Sequence, residues 1–83
     1  MDITINKKTG LSINQQLKDQ IRYLIDTGVL KPGEKIPASS ELADILNINR
    51  NTVSLVYHEL ETERYLNCAP GRGTLINGPV KTL

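Results

Sequence analysis

Apolar side chains recur at intervals of three and four residues over much of the chain, which is the spacing of one face of an α-helix. The first such stripe consists of Ile13, Leu17, Ile21, Leu24 and Ile25. Ser12 precedes the stripe as a candidate N-cap and Gly28 follows it as a stop signal, so the pattern predicts a helix between them. The solvent-facing side of this helix is expected to carry Lys18, Asp19, Arg22 and Asp26.

Two shorter apolar stripes follow and predict two helices joined by a tight turn. The first stripe comprises Leu42, Ala43 and Leu46, and the second comprises Val53, Val56, Tyr57 and Leu60. Asn49 stands just before the second stripe and is a good N-cap, so this helix is expected to begin at Arg50 and to cover residues 50–63. Ile48 is expected to be the buried anchor of the turn.

The remaining segments carry turn and strand signals. Pro32-Gly33 marks a turn, and Lys35-Ile36 after it predicts a very short strand. Two short runs, at residues 65–68 and 74–77, flank a glycine-rich loop and predict a β-hairpin. The order helix, short strand, helix, helix and two-stranded wing defines the expected fold class, which is mostly α with a small β-hairpin: a winged helix-turn-helix.

Composition limits the chain to a small domain with an aliphatic core. The chain has 83 residues, of which 39% are hydrophobic, and it contains neither Phe nor Trp. Tyr23, Tyr57 and Tyr65 are therefore expected to be the only aromatic residues of the core. Leu30 and Ile36 are expected to close its base.

The folded domain is expected to occupy residues 12–77. Residues 1–11 are mostly polar and are predicted to form a flexible N-terminal arm, in which Lys7 and Lys8 are interpreted as solvated charges, with contact to DNA phosphates as the alternative. Residues 78–83 have the composition of a linker. We expect this linker to lead to a C-terminal domain absent from this chain, which would make the chain an excised domain; the alternative is a minimal natural protein.

Cysteine content and hydropathy indicate the compartment. Cys68 is the single cysteine and has no partner for an intramolecular disulfide. The sequence shows no leader peptide and no apolar run approaching the roughly 18 residues of a membrane span. We therefore expect a soluble, cytoplasmic protein without a membrane partner.

The distribution of charge on the predicted third helix is more informative than the total charge. The formal net charge of +1 is too small to indicate a nucleic-acid partner. The helix begins with Arg50, Asn51, Thr52 and Ser54, and its acids, Glu59, Glu61 and Glu63, come at the far end. A helix N-terminus is already positive, so this arrangement favours an anion approaching that end. Glu59 and Glu61 lie too far along the helix to pair easily with Arg50.

A helix, a short turn and a helix with such an end are typical of a DNA-binding helix-turn-helix. An ordinary helical hairpin would give the same apolar pattern, and the flanking sequence favours the DNA-binding interpretation.

The sequence gives no support for catalysis, because His58 is a lone mid-helix histidine and Cys68 has no neighbouring histidine or second cysteine. The glycines around Arg72 join two strands and do not open a helix, unlike a nucleotide-binding loop. We expect no enzyme activity, no metal and no cofactor.

Four segments in the same order and spacing resemble one known family. They are Gly28-Val29-Leu30-Lys31-Pro32-Gly33, Ile36-Pro37 with Glu41-Leu42-Ala43, Asn49-Arg50-Asn51-Thr52-Val53, and Gly71-Arg72-Gly73-Thr74-Leu75-Ile76. Over residues 12–77 the chain is similar to the N-terminal DNA-binding domain of the GntR family of bacterial transcriptional regulators.

The resemblance implies a repressor that binds double-stranded operator DNA. Helix 50–63 would lie in the major groove and the wing tip, residues 69–73, at the adjacent minor groove. The implied DNA-contacting residues are Ser39, Ser40, Asn49, Arg50, Asn51, Thr52, Ser54, Gly71, Arg72 and Gly73. The resemblance also implies a homodimer in the full-length protein, a palindromic operator and an effector that binds only the C-terminal domain. The alternative function is protein–protein or RNA interaction, for which only Leu55, off the core stripe, offers support.

The chain departs from the family pattern at several positions. Ala38 stands where the family commonly has a capping Ser, so that Ser39 or water would have to cap the second helix. Ser40 and Ser54 stand where many members have arginines that contact DNA. Arg64 replaces a frequent Gly, and a left-handed backbone there would cost a non-glycine residue roughly 1 kcal/mol.

Overall fold

A computed structural model of the chain describes residues 3–8, 10–69 and 73–79. Its elements are, in order, α1 (Ile13–Asp26), β1 (Lys35–Ile36), α2 (Ser39–Leu46), α3 (Arg50–Thr62), β2 (Leu66–Ala69) and β3 (Gly73–Ile76). This order confirms the predicted winged helix-turn-helix. The third helix ends one residue earlier than expected, with Glu63 as its C-cap.

The first helix follows its sequence signals closely. The Ser12 hydroxyl accepts a hydrogen bond from the backbone N–H of Gln15 at 3.1 Å, which fixes the start of α1. Gly28 follows the helix with a φ of +84°, a left-handed conformation that favours glycine. The buried face of α1 consists of Leu17, Ile21 and Ile25.

Two side chains expected on the wet face of α1 contact the rest of the fold instead. The Lys18 side chain is only 18% exposed, because it reaches the acidic end of α3. The Arg22 guanidinium lies 5.4 Å from the centroid of the Tyr65 ring, a cation–π contact. Their assignment to a solvated face was therefore wrong: long stems cross the helix surface and place the charged heads over neighbouring elements.

The core joins all three helices to the sheet. Its buried apolar residues are Leu17, Ile21, Ile25, Leu30, Ile36, Leu42, Ala43, Val53, Val56, Tyr57, Leu60, Tyr65, Leu66 and Ile76. Leu30 and Ile36 are buried as predicted. Tyr23 is 66% exposed, so its assignment to the core was wrong. It lies two residues beyond Ile21 on the helix, which turns it away from the buried stripe.

The wing is part of a three-stranded antiparallel sheet with the strand order β1-β3-β2. The sequence predicted both the hairpin and the short strand, but not that β1 pairs with β3, with Lys35 opposite Leu75. The β1–β3 junction is closed by two backbone bonds, Gly33 N–H to Ile76 at 2.7 Å and Ile76 N–H to Glu34 at 2.8 Å. The wing is thereby attached to the segment that leads into α2.

Arg64 has a φ of +70°, as the sequence comparison suggested. Replacing Arg64 with glycine is expected to raise the free energy of unfolding by up to about 1 kcal/mol, because glycine adopts this conformation without a Cβ clash. Urea unfolding followed by circular dichroism measures the change. Arg64→Ala is the control, since it removes the same charge and keeps the Cβ. Equal midpoints for the two variants would show that no backbone strain is relieved.

Candidate nucleic-acid interface

The start of α3 is held by its own cap. The side-chain oxygen of Asn49 accepts a hydrogen bond from the backbone N–H of Asn51 at 2.7 Å, and the helix begins at Arg50, as predicted. Asn47 ends α2 in a left-handed conformation with a φ of 56°. Ile48 is half-buried against the core, so the turn's expected anchor is less enclosed than the sequence suggested.

The first turns of α3 present polar side chains to solvent while the opposite face is locked into the core. Asn49, Arg50, Asn51 and Ser54 are exposed, and Thr52 is half-buried. The buried face of the helix consists of Val53, Val56, Tyr57 and Leu60. Because packing fixes the rotation of the helix, the polar N-terminal face points outward in one orientation.

Arg50 has an acidic neighbour that sequence reasoning missed. Its Nη2 lies 3.4 Å from Oδ2 of Asp44, and both side chains are about two-thirds exposed, at 67% and 66%. The sequence search for partners considered acids on the same helix, whereas Asp44 is on α2. Exposed ion pairs contribute about 0–1 kcal/mol, so this contact is weak enough to exchange for a stronger anion.

The start of α2 lacks a side-chain cap, since its N-cap residue is Ala38. Ser39 does not take over that role: its hydroxyl accepts a hydrogen bond from the Ser54 hydroxyl at 3.2 Å. Ser40 beside it is exposed. Ser39 of α2 therefore lies against Ser54 of α3, and the amides at the start of α2 have no side-chain cap.

A buried tyrosine holds the two helices in register. The Tyr57 hydroxyl donates a hydrogen bond to the backbone oxygen of Pro37 at 2.8 Å, which connects α3 to the entry of α2. Burial raises the pKa of Tyr57 well above its usual value, because the phenolate would lose its hydration. The hydroxyl therefore stays protonated and remains a donor throughout the physiological pH range.

The acidic end of α3 is neutralised by neighbouring elements. Lys18 of α1 forms ion pairs with Glu59, at 3.3 Å, and with Glu63. The hydrogen bond that the Lys18 ammonium donates to Glu63 is the largest cause of the raised pKa of Lys18. Glu61 accepts a hydrogen bond from the backbone N–H of Cys68 at 2.9 Å, and this bond lowers the pKa of that carboxyl. These acids therefore have structural partners, which gives their position on the helix an explanation within the fold.

The wing brings one predicted contact residue to the start of β3. Gly73 has a φ of +82°, a conformation that favours glycine, and a Cβ at this position would displace the end of the Lys35 side chain, whose Cε would lie 3.0 Å away. Gly73 pairs with Ala69 across the hairpin. Gly71 and Arg72, the other predicted contact residues of the wing tip, lie outside the described residues.

Other candidate chemistry is sparse in the described part of the chain. His58 is exposed on α3. Partial burial is the largest cause of the raised pKa of the Cys68 thiol, which disfavours the reactive thiolate. Leu55 is 50% exposed, and single exposed apolar side chains are common on protein surfaces. Within the described ranges, no helix has the length and apolar character required to cross a membrane.

Comparisons with known proteins identify the family. The family model described as "Bacterial regulatory proteins, gntR family" matches residues 13–76. The chain is 41% identical over 80 residues to the HTH-type transcriptional repressor YtrA of Bacillus subtilis, an alignment that covers 96% of this chain and 62% of that protein. It is 40% identical over 77 residues to the pyridoxine biosynthesis regulator PdxR of Corynebacterium glutamicum, covering 93% of this chain and 17% of that protein. The chain thus spans less than two-thirds of these relatives.

Solved structures give the same result. YtrA from Sulfolobus acidocaldarius, described as a GntR-family transcription factor, superposes with a TM-score of 0.83 at 36% identity, covering 94% of this chain and 82% of that one. The AraR DNA-binding domain, solved in complex with operator ORX1, superposes with a TM-score of 0.75 at 25% identity, covering 92% and 98% of the two chains.

The fold and the polar start of α3 define a winged helix-turn-helix protein of the kind found in transcriptional regulators. More specifically, the chain belongs to the GntR family of bacterial regulatory proteins. The names of these relatives agree with the expectation that the chain is not an enzyme.

Proposed function

We propose that this chain binds double-stranded operator DNA in a sequence-specific manner, as the DNA-binding part of a GntR-family repressor. The observation that carries the proposal is the capped, outward-facing start of α3, which presents Arg50 and Asn51 to solvent. The likeness to the AraR DNA-binding domain, which was solved bound to its operator, supports it. The alternative, protein–protein or RNA interaction, was predicted from Leu55 alone, which is one of five large apolar side chains exposed in the described residues.

In the proposed complex, α3 lies in the major groove. The guanidinium of Arg50 would leave Asp44 and bind the O6 and N7 atoms of a guanine in bidentate fashion. Asn51 would contact an adenine or the backbone, and Asn49 and Thr52 would contact the flanking backbone. The buried face of α3 fixes the rotation at which these side chains enter the groove.

The start of α2 would contact the DNA backbone next to α3. Ser39, Ser40 and Ser54 supply hydroxyl groups on one surface, and the amides at the uncapped start of α2 are additional donors. Hydroxyl groups replace the arginines that many family members carry at positions 40 and 54. We therefore assign base selection mainly to Arg50 and Asn51 and backbone positioning to the serines.

The wing tip, residues 69–73, would reach the adjacent minor groove, with Arg72 inserted between the glycines Gly71 and Gly73. Replacing Arg72 with alanine is expected to flatten the salt dependence of binding, lowering the slope of log K against log salt by about 0.9. Fluorescence anisotropy at several salt concentrations measures the slope. Arg64→Ala removes an equal charge outside the proposed interface and is the control. Equal slopes for the two variants would contradict minor-groove contact.

The wider assembly follows from the same proposal. We propose that the full-length protein is a cytoplasmic homodimer on a palindromic operator. Residues 78–83 would link this domain to a C-terminal domain that binds a small-molecule effector. The YtrA relative is named as a repressor, which supports repression as the regulatory outcome.

Selection of bound sequences from a library of random duplexes tests the function directly. The expected result is enrichment of one sequence with twofold symmetry, since symmetric proteins select symmetric sites. Failure to enrich any sequence over the starting library would reject sequence-specific DNA binding. Enrichment of a single asymmetric site would reject only the palindromic, dimeric arrangement.

A further inference from the structure

The N-terminal segment is held along α1 by two glutamine side chains. The Gln20 carboxamide accepts a hydrogen bond from Thr4 N–H at 2.9 Å and donates one to the Thr4 carbonyl at 2.6 Å. Gln16 makes the same pair of bonds with Asn6, both at 2.8 Å. Gln16 and Gln20 are four helical residues apart, about 6 Å, and Thr4 and Asn6 are two extended residues apart, about 6.5 Å, so the two spacings match and set the register of residues 3–8 against the helix.

Apolar contacts add to this attachment. Ile3 and Ile5 alternate with the bonded residues and pack, partly buried, against the core. An extended segment with one face on the core and its backbone bonded to a helix has a defined position in the fold. The backbone of Lys7, the next residue after Asn6, therefore has a defined position relative to α1.

Lys7 lies beside the start of α3. Its Nζ donates a hydrogen bond to the backbone oxygen of Asn47 at 3.1 Å. Asn47 is the C-cap of α2 and precedes Arg50 by three residues, so this ammonium group and the Arg50 guanidinium border the same turn. A Lys ammonium has three donors, and the Asn47 bond uses one of them. The sequence favoured a solvated charge at Lys7, whereas its ammonium group bonds to the backbone of Asn47.

One explanation for this contact lies within the fold. A cation at the C-terminal end of α2 interacts favourably with the helix dipole, typically by a few tenths of a kcal/mol. That effect is small compared with the contacts that position the arm. Four hydrogen bonds to glutamine side chains and the packing of two isoleucines hold residues 3–8 in place, and this places Lys7 at the turn. The turn leads directly into α3, the helix proposed above to enter the DNA.

We propose that residues 3–8 form a third DNA-contacting element, in which Lys7 binds a backbone phosphate of the same duplex that α3 enters. This inference rests on the proposed function and adds a contact from outside the helix-turn-helix and the wing. Charge complementarity supports it, because Lys7 places an exposed ammonium group at Asn47, three residues before Arg50, and the two cations favour an anionic partner. Backbone contacts of this type add affinity and salt dependence without base preference.

The test compares the salt dependence of DNA binding in matched charge variants. Lys7→Gln is expected to lower the slope of log K against log salt by about 0.9, the value for one phosphate contact, with the selected duplex and with an unrelated duplex alike. Lys31→Gln removes an equal charge from the exposed turn before β1 and should keep the wild-type slope. Equal slopes for the Lys7 variant, the Lys31 variant and the wild type would overturn the proposal.

A second variant separates the arm from its charge. The double substitution Gln16→Leu and Gln20→Leu removes the bonds to Thr4 and Asn6 but leaves every lysine in place. We expect the same loss of slope as in Lys7→Gln, with thermal unfolding followed in parallel to establish that the domain is folded. If the folded double variant kept the wild-type slope of log K against log salt, the proposed role of the arm would be wrong. Arg50→Ala distinguishes the two proposals, because loss of sequence preference in that variant supports α3 docking whatever Lys7 does.

Discussion

Replacing Arg50 with alanine is expected to weaken binding to the selected duplex by about 1–3 kcal/mol, or roughly 5- to 150-fold, and to relax preference at one base pair. The reason is that a bidentate guanidinium contact discriminates guanine from the other bases, whereas an alanine side chain makes no hydrogen bond to a base. Anisotropy titrations with the selected duplex and with single-base variants of it measure both effects.

Asp44 supplies the control for this prediction. If Arg50 acts only through its ion pair with Asp44, then Asp44→Ala and Arg50→Ala should produce the same small loss of stability and similar DNA affinities. If Arg50 binds DNA, the Asp44 variant should bind DNA at least as well as the wild type, because an exposed acid has been removed from the interface. Unchanged affinity and base preference in Arg50→Ala would contradict the docking of α3.

Replacing Leu60 with alanine is expected to lower the free energy of unfolding by about 2–5 kcal/mol, through lost apolar burial and the cavity left behind. Leu60 is fully buried, at 0% exposure, and lies where α3 packs into the core. Domains of this size have total stabilities on the order of 4–12 kcal/mol, so the loss is a large fraction of the total. Urea unfolding followed by circular dichroism measures it.

Leu55 is the matched control, because it is the same residue type on the same helix and is 50% exposed. Leu55→Ala should change the free energy of unfolding by less than about 1 kcal/mol. Similar losses in the two leucine variants would contradict the packing described for α3. A folded Leu55→Ala domain with undiminished DNA affinity would also argue against a protein-binding role for this side chain.

The elements of this fold were predictable where their signals are local. Ser12 and Asn49 place the starts of α1 and α3 because a cap acts within one turn of its own residue. Arg64 drew attention only through the family resemblance, because it replaces a frequent Gly, and its backbone is left-handed. Helix starts therefore follow from short stretches of sequence, whereas the end of α3 and the bounds of β2 and β3 each differ from the prediction by one residue.

Contacts between elements were not predictable in the same way. Tyr23 was assigned to the core from its residue type, whereas its position on α1 turns it outward. Lys18 was assigned to solvent, although its stem spans the gap to Glu59 and Glu63 on α3. The exposure of Tyr23 and the ion pairs of Lys18 both depend on which element packs beside α1. A single sequence does not give this packing.

The candidate site shows the same division. The outward start of α3 followed from its apolar stripe and its cap, so Arg50 was identified from sequence alone. Its neighbour Asp44, the bond between Ser39 and Ser54, and the contact of Lys7 with Asn47 all join residues from different elements. Their sequence separations run from 6 to 40 residues, and only the assembled fold brings them together.

The pairing of β1 with β3 makes the hairpin continuous with the polypeptide that opens α2, because only Pro37 and Ala38 separate β1 from that helix. This strand pairing fixes the position of β3 relative to the start of α2. If the proposed docking is right, natural target sites should keep a constant number of base pairs between the segment that α3 would read and the segment that the hairpin would contact.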